Sequence, residues 1–582
     1  MKLQIWMGRA GAGKSRLVLE TLEKQRRQRP QVLLVPEHAS HEAELDLCRI
    51  CGPTASRDAE VLSFRNLATR VLSQTGGLAD VTLDNGGKLL TMRRALQEVS
   101  GRLTVFARPS QRPAFLRQLV ALADELYAYR VTPAALMEQV SDMDGAAGEK
   151  LRSAALIYGA YDARLHGEGI DARSRVQKLC DALPGSDYLV GKDVYVDGFS
   201  YFNRVEEDIL ETALRQANSV TVTLLGDESD PQLFQNALRQ RDRLKRMAAA
   251  VRSECEVKTL VSNGAGALAH LERCFFGDET PWQGEQPPVR LYQAETPFSE
   301  VEYVAAQVRR LTREGCRWRD IGVTARNMEV YGPLLEAVFR RDGVPAYISR
   351  RSDILEKPVL TMLLSAVDAV TGGFEYEDVF RCLKTGMAGV SAAECDILEN
   401  YVIRWEIRGS MWLRDTDWTA SPDGYGAELN ETRRQRLAEV NAVRRRVREL
   451  FAGLNEGLKT GLTIRDKAEA LYRFAESAEV PETLKQQTEA LYDDGQVQLA
   501  EEYSQLWRIF CDVLDQFVEL LGDVEVDGQE FARLLRLVLS QYAVATIPAT
   551  LDQVKVTPLT RNDRHTVRHL FLLGANDNVL PT

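Results

Sequence analysis

An eight-residue segment near the start of the chain constrains the fold more than any other feature. Gly8-Arg9-Ala10-Gly11-Ala12-Gly13-Lys14-Ser15 follows the apolar run Leu3 to Met7 and precedes the helix-like stretch Arg16 to Lys24. The spacing matches G-x-x-x-x-G-K-[ST], a loop whose backbone N–H groups surround phosphates at a helix N-terminus. The pattern predicts strand, phosphate loop and helix, with Gly8, Gly11, Gly13, Lys14 and Ser15 as nucleotide contacts. A glycine turn without a ligand is the structural alternative.

In this kind of site Lys14 neutralises the terminal phosphates, and the Ser15 hydroxyl binds Mg²⁺. A second metal contact comes from an aspartate at the end of another strand. Val194-Tyr195-Val196-Asp197 is the best candidate in the sequence, and Asp197 is therefore a predicted nucleotide and magnesium contact. A strand-end turn is the alternative role for this residue.

The residue after Asp197 is Gly198, where a hydrolytic site of this kind normally has a glutamate base. Glu206 and Glu207 are the nearest substitutes. We therefore assign no catalytic residue from the sequence.

Strand-like and helix-like stretches alternate, which favours an α/β fold with parallel sheets. Strands are expected at Val32 to Val35, Asp193 to Val196 and Ser219 to Leu225. After a Gly- and Pro-rich linker at 264–288, a second α/β unit is expected from Val289, with strands at Ile321 to Ala325, Pro345 to Ile348, Gln553 to Val556 and His569 to Leu573. Long amphipathic helices fill about 85–183 and 377–542. In the second stretch, we expect two arginine runs to lie on a solvated helix face, with a nucleic-acid contact as the alternative: Arg433, Arg434 and Arg436, then Arg444, Arg445, Arg446 and Arg448.

Polar and aromatic side chains follow several predicted strands, where open α/β folds bind ligands. Arg326 comes directly after Val323-Thr324-Ala325 and could reach a nucleotide held between two such units. The alternative for Arg326 is an exposed surface arginine. Phe64, Phe199, Tyr201 and Phe202 could stack on nucleic-acid bases, although core packing is the commoner role.

Composition excludes several classes of protein. The formal net charge of −11 is not that of a polybasic nucleic-acid-binding protein, although a basic groove can lie on an acidic body. No apolar run reaches the 18 residues of a membrane span, and we expect a cytoplasmic protein without a membrane partner. The nine cysteines predict no disulfide framework. Cys48 and Cys51 have CxxC spacing without a second pair to complete a metal site.

Several segments, taken in order, resemble the B subunits of bacterial AddAB helicase–nucleases, relatives of UvrD-like superfamily 1 helicases. The resemblance covers essentially the whole chain. Its segments are GRAGAGKS (8–15), LLVPE (33–37), SFRNLATRVLSQTGG (63–77), VYVDGFSYFNRVEEDIL (194–210), IGVTARNMEVYGPLLEAVFRRDGVPAYIS (321–349) and HLFLLGANDNVLP (569–581).

The resemblance implies two RecA-like P-loop domains, each with a large helical insertion. The first domain would comprise 1–84 and 185–275 around an insertion at 85–184, and the second, truncated, 286–375 and 546–582 around an insertion at 376–545. It also implies ATP and Mg²⁺ as cofactors, with Arg326 as a further nucleotide contact.

The family's function is ATP-dependent processing of DNA double-strand breaks for homologous recombination. Its implied partners are double- and single-stranded DNA and an AddA-like helicase–nuclease subunit, and Chi recognition is an implied role. Family members are about twice as long, and their C-terminal half holds a nuclease domain and an iron–sulfur cluster. We therefore expect this sequence to be an N-terminal piece of a longer protein. The alternatives are a self-sufficient superfamily 1 helicase and a non-catalytic, helicase-shaped repair scaffold.

Overall fold

The computed structural model describes residues 2–26, 28–52, 54–77, 83–103, 105–106, 113–167, 175–261, 266–274, 280–285, 289–348, 352–544, 552–559 and 567–580. The first part of the chain alternates strands and helices: β1 (Lys2–Gly8), α1 (Lys14–Gln25), β2 (Gln31–Leu34), α2 (Ser40–Cys51), β3 (Ala59–Leu62) and α3 (Phe64–Thr75). Helices follow: α4 (Asn85–Val99), α5 (Pro113–Ala128), α6 (Pro133–Ser141), α7 (Gly145–Gly167) and α8 (Arg175–Ala182). The alternation then resumes with β4 (Asp193–Val196), α9 (Arg204–Gln216), β5 (Ser219–Leu225), α10 (Gln235–Ala250), β6 (Glu254–Thr259) and α11 (Ala267–Cys274).

A second set of alternating elements begins with α12 (Pro297–Arg313), β7 (Ile321–Ala325), α13 (Met328–Arg341), β8 (Ala346–Ile348) and the short β9 (Ser352–Asp353). A long helical region follows: α14 (Pro358–Thr371), α15 (Tyr376–Leu383), α16 (Ala392–Arg404), α17 (Glu431–Thr460), α18 (Ile464–Ser477), α19 (Val480–Asp493), α20 (Val497–Leu521) and α21 (Gly528–Leu539). The last strands are β10 (Ala543–Val544), β11 (Val554–Pro558) and β12 (His569–Leu573).

The first sheet is parallel throughout, with the strand order β3-β2-β4-β5-β1-β6. Helices cover both of its faces, α1 and α2 on one and α3, α8, α9 and α10 on the other. Strands buried on two faces need continuous apolar runs, and β2 and β4 have them. The predicted α/β class with parallel strands is therefore confirmed.

The second sheet is also parallel, with the order β12-β7-β11-β8 and its own core against α12 and α13. Two of its strands, β11 and β12, come from the end of the chain, so the sheet is interrupted by the long helical region. Residues 289–294, at the expected start of this unit, form neither helix nor strand, and the first regular element after them is α12.

The two helical regions share one hydrophobic core, which includes side chains from α4, α5 and α7 together with α14 to α21. Polar contacts also join them. The Arg94 guanidinium donates to the Leu520 carbonyl at 2.8 Å, and Arg93 forms an ion pair with Glu530. The helices that interrupt the first sheet therefore pack against those that interrupt the second.

Two local predictions need correction. The interval 264–288, predicted as a linker, contains the helix α11. In the arginine-rich helix α17, Arg445 and Arg446 lie on the expected solvated face, but Arg444 is fully buried beside the Trp418 ring.

The helices of the described residues include none with both the length and the apolar composition of a membrane span.

Candidate nucleotide-binding site

The predicted phosphate loop joins β1 to α1 and requires glycine at three positions. Gly11 and Gly13 have φ values of +73° and +79°, in the left-handed region that other residues rarely adopt. A Cβ on Gly8 would lie 2.7 Å from the Leu260 carbonyl oxygen, so the loop and the end of β6 approach too closely for a side chain. The geometry matches that of a loop whose backbone N–H groups can face an anion.

Lys14 is the first residue of α1, and its ammonium group donates hydrogen bonds back to the start of the loop. Nζ donates to the carbonyls of Gly8 at 2.7 Å and Arg9 at 2.8 Å. Burial lowers the pKa of Lys14, while the nearby carboxylates of Asp197 and Glu272 oppose that shift. The ammonium is thus held over the loop by neutral carbonyls, which an incoming phosphate can replace.

The N-terminus of α1 has no side-chain cap, since Gly13 occupies the N-cap position. The first N–H groups of a helix lack intrahelical partners and carry the positive end of its dipole. Ser15, half-buried in this first turn, adds a hydroxyl beside them. An anion at this position could therefore accept hydrogen bonds from backbone N–H groups, the Ser15 hydroxyl and the Lys14 ammonium group.

Asp197 follows β4 at the same edge of the sheet, with β5 between β4 and β1. Its side chain is buried, and Thr223 of β5 donates a hydrogen bond to one carboxylate oxygen. The backbone N–H of Asp197 donates to the Leu34 carbonyl at 2.9 Å. Thr223 therefore orients the carboxylate, and the bond to Leu34 fixes the backbone of Asp197 beside β2. The role of Asp197 as a metal contact stays a prediction.

Arg9 forms a network that the sequence did not predict. Its Nε lies 2.6 Å from an oxygen of Asp227, and its terminal nitrogens lie 3.7 Å from Asp230 and 3.7 Å from Glu272. The guanidinium also lies over the Phe234 ring. This arginine ties the phosphate loop to the segment after β5 and to α11. Hydrogen bonding to Arg9 lowers the pKa of Asp227.

The two glutamates considered as substitute bases have other partners. Glu206 accepts from the Asn203 N–H at 2.9 Å and completes the N-terminal cap of α9, and burial raises its pKa. Glu207 is buried, with Arg243 at 3.2 Å and Gln240 at 3.3 Å. Both carboxylates are thus engaged in holding α9.

Arg326 directly follows β7 and is exposed at the carboxyl end of the second sheet. A contact between the two α/β units lies where Lys555 of β11 pairs with Glu42 of α2. The role of Arg326 towards a nucleotide stays a prediction.

The aromatic residues after the strands divide into two groups. Phe64, Phe199 and Phe202 form a chain of ring contacts, each 5.3 Å between centroids, and pack on the core of the first sheet. Tyr201 differs because 72% of it is exposed. Only Tyr201 of this set presents its ring to solvent.

The two cysteines of the CxxC pair have different surroundings. Cys51 is buried against α1 and burial raises its pKa to about 11, whereas Cys48 is exposed. Within the described ranges, no group of three or more His, Cys, Asp or Glu residues could hold a metal ion. The donor set of an iron–sulfur cluster is thus not found in this part of the molecule.

Comparison with known proteins gives the relationship directly. A family model described as ADDB, N-terminal, matches residues 5–272. Over the whole chain, the sequence is 34% identical to the B subunit of the ATP-dependent helicase/deoxyribonuclease of Desulforudis audaxviator, covering 53% of that protein. It is 32% identical to the B subunit of the same enzyme from Acetivibrio thermocellus and 30% identical to that from Clostridium botulinum strain Loch Maree, covering 52% of each.

The chain spans about half the length of the curated relatives that it matches. The matched range includes the phosphate loop, Asp197 and the Arg9 network. The resemblance drawn from the motifs is therefore confirmed: residues 5–272 match the N-terminal model of the ADDB family, and the whole chain is similar to B subunits of ATP-dependent helicase/deoxyribonucleases.

Proposed function

We propose that this chain is the nucleotide- and DNA-binding, helicase-like part of the B subunit of an ATP-dependent helicase–exonuclease. The complex would process DNA double-strand breaks in the cytoplasm for homologous recombination. The proposal depends on one observation: the phosphate loop leads into α1, whose N-terminus has no side-chain cap, at the same edge of the sheet as the buried Asp197. The chain is also similar along its length to B subunits.

Two RecA-like domains with helical insertions are the architecture we propose for it. The first would comprise 1–84 and 185–275, and the second 286–375 and 546–582, with insertions at 85–184 and 376–545. Two separate parallel sheets, each interrupted by helices, support this division. The shared core of the helical regions supports a rigid connection between the two domains.

ATP with Mg²⁺ is the proposed cofactor. Gly8, Gly11 and Gly13 would shape the loop around the phosphates, Lys14 would neutralise their charge, and Ser15 and Asp197 would hold the metal. Bound Mg²⁺ would supply charge neutralisation and orientation of the phosphates. Arg326 is a further proposed contact from the second domain.

We propose that ATP binding matters more than ATP hydrolysis in this subunit. Gly198, with φ +86°, stands where a base would follow Asp197. Glu206 and Glu207 are held by α9 and α10 as described above. The AddA-like partner would then supply the main motor, and this chain the DNA contacts, including those to Chi. The family's nuclease domain and iron–sulfur cluster would lie outside this chain.

Affinity capture of the chromosomally tagged protein tests this assignment. We expect mass spectrometry to find an AddA-like helicase–nuclease chain, and the captured material to degrade linear DNA only with ATP. Capture without such a partner, combined with DNA-stimulated ATP hydrolysis by the isolated chain that Lys14→Ala abolishes, would instead identify a self-sufficient helicase. DNA repair in cells that survives loss of nucleotide binding would identify a scaffold.

A further inference from the structure

A groove of about 1460 Å³ runs between α9 and α10. One end reaches Ala10 of the loop, and α11 and the segment after β4 form its other walls. Its lining includes four arginines, namely Arg204, Arg239, Arg243 and Arg246.

The acidic residues of the groove are already neutralised. Glu207 pairs with Arg243 at 3.2 Å, and Glu211 pairs with Arg215 at 2.6 Å. Glu272 faces Arg9, and Arg204 is paired with Asp208 at 3.1 Å.

Arg239 and Arg246 are different, because both are exposed and neither side chain has an ion pair or hydrogen bond within the described ranges. Two positive charges in this groove are thus uncompensated, on a chain whose net charge is −11.

The spacing of these arginines indicates which kind of anion fits the groove. Arg239, Arg243 and Arg246 lie at i, i+4 and i+7 of α10, which places them on one stripe of the helix. Seven residues of helix rise about 10 Å. Two charges at that separation match an extended polyanion better than a single small anion.

Exposed aromatic rings lie along the same groove. Tyr201 is 72% exposed and Tyr129 is 65% exposed, and both line it. Rings beside a positively charged groove are the combination that binds single-stranded nucleic acid, since every base can stack on a ring.

From these observations we propose that the α9–α10 groove binds one strand of DNA through its backbone, without regard to sequence, with Arg239 and Arg246 on the phosphates. This inference rests on the proposed DNA-binding function and adds a location to it. Contacts to phosphates give affinity and register but carry no base information.

The test uses fluorescence anisotropy of the full chain with two labelled single-stranded 20-mers, oligothymidylate and a mixed sequence. Arg239→Gln with Arg246→Gln should weaken binding of both, by about tenfold for each arginine. The salt dependence of binding should also become shallower, by about 0.7 in logarithmic slope for each lost phosphate contact.

Lys245→Gln is the matched control, because it removes the same charge from the same helix outside the groove. It should change affinity by less than about threefold. Far-ultraviolet circular dichroism and ATP affinity should be unchanged in all variants, which separates local contact from unfolding.

The outcomes are distinguishable. If the wild-type chain binds strands and the double variant binds equally well, the groove assignment is wrong while the DNA-binding function stands. If the double variant keeps its affinity for single strands, but affinity capture no longer recovers a protein chain that the wild type captures, the groove is a protein interface. A wild-type chain that binds neither oligonucleotide would contradict DNA binding itself, and this site with it.

Discussion

Replacement of Arg9 by methionine should weaken ATP binding although Arg9 lies outside the predicted set of phosphate contacts. The Arg9 side chain is 16% exposed, and its guanidinium lies between Asp227, Asp230 and Glu272. Methionine keeps much of the apolar stem and removes the charge. The loop would lose its ties to the segment after β5 and to α11, and three uncompensated carboxylates would remain close to the phosphate site.

The expected magnitude follows from the contacts. The partners are 24% to 33% exposed, so solvent screens each pair and its net contribution falls well below the gross Coulomb energy. The short hydrogen-bonded pair with Asp227 is the strongest of the three. Together they should contribute about 2 kcal/mol to holding the loop. That energy corresponds to a roughly 30-fold loss of ATP affinity if the nucleotide requires the held loop.

Titration calorimetry with ATP and Mg²⁺ measures this loss. Arg49→Met is the control, because Arg49 is 68% exposed and makes only a short-range pair with Asp46 on α2. We expect the control to bind ATP within about twofold of wild type. Equal ATP affinity in Arg9→Met and wild type would refute the role given to Arg9.

The same contact predicts a pH dependence. Hydrogen bonding to Arg9 lowers the pKa of Asp227 below its ordinary value of 3.8. A lowered carboxyl pKa stabilises the fold fully above the unfolded value, and that stabilisation is lost as the pH falls through the folded value. Wild type and Arg9→Met should therefore differ in the free energy of unfolding at pH 7, and the difference should shrink below about pH 4. A difference that stays constant down to pH 3 would contradict this reasoning.

Three further variants test other parts of the structure. Gly8→Ala places a methyl group against the end of β6 and should lower ATP affinity about tenfold by calorimetry, whereas Gly101→Ala, which meets no atom within 4 Å, should not. Asp197→Asn should remove most of the effect of Mg²⁺ on ATP affinity, measured by titration with and without the metal; an undiminished effect would exclude Asp197 as a ligand. Arg93→Met breaks the ion pair with Glu530 between the helical regions and should lower the free energy of unfolding by about 1 kcal/mol in thermal melts, and no change would show that the pair contributes nothing.

Much of the two sheets could be predicted because their central strands are buried on both faces. The runs at 193–196, 219–225 and 321–325 become strands with those same bounds. The phosphate loop could be predicted for another reason, since three glycines and a lysine at fixed spacing encode a backbone conformation. By contrast, β6 has the sequence ECEVKT and lies exposed at the sheet edge, so it carries no apolar signal.

Contacts between residues far apart in the chain could not be predicted from the sequence. Arg9 meets partners more than 200 residues away, and nothing local to the loop indicates them. Helical periodicity predicts an apolar face but not which helix covers it, so the shared core of the two helical regions appears only in the folded chain. A run of arginines predicts a solvated helix face for all of its members. The sequence does not show that Arg444 is the buried member of the run.

The central claim, that the loop from Gly8 to Ser15 holds the phosphates of ATP, is tested most directly with Lys14→Met. Titration calorimetry should show one ATP per wild-type chain in the presence of Mg²⁺. Removal of one charged phosphate contact should weaken binding by about ten- to 150-fold, with the thermal unfolding midpoint nearly unchanged. Equal ATP affinity in the two proteins would contradict the account.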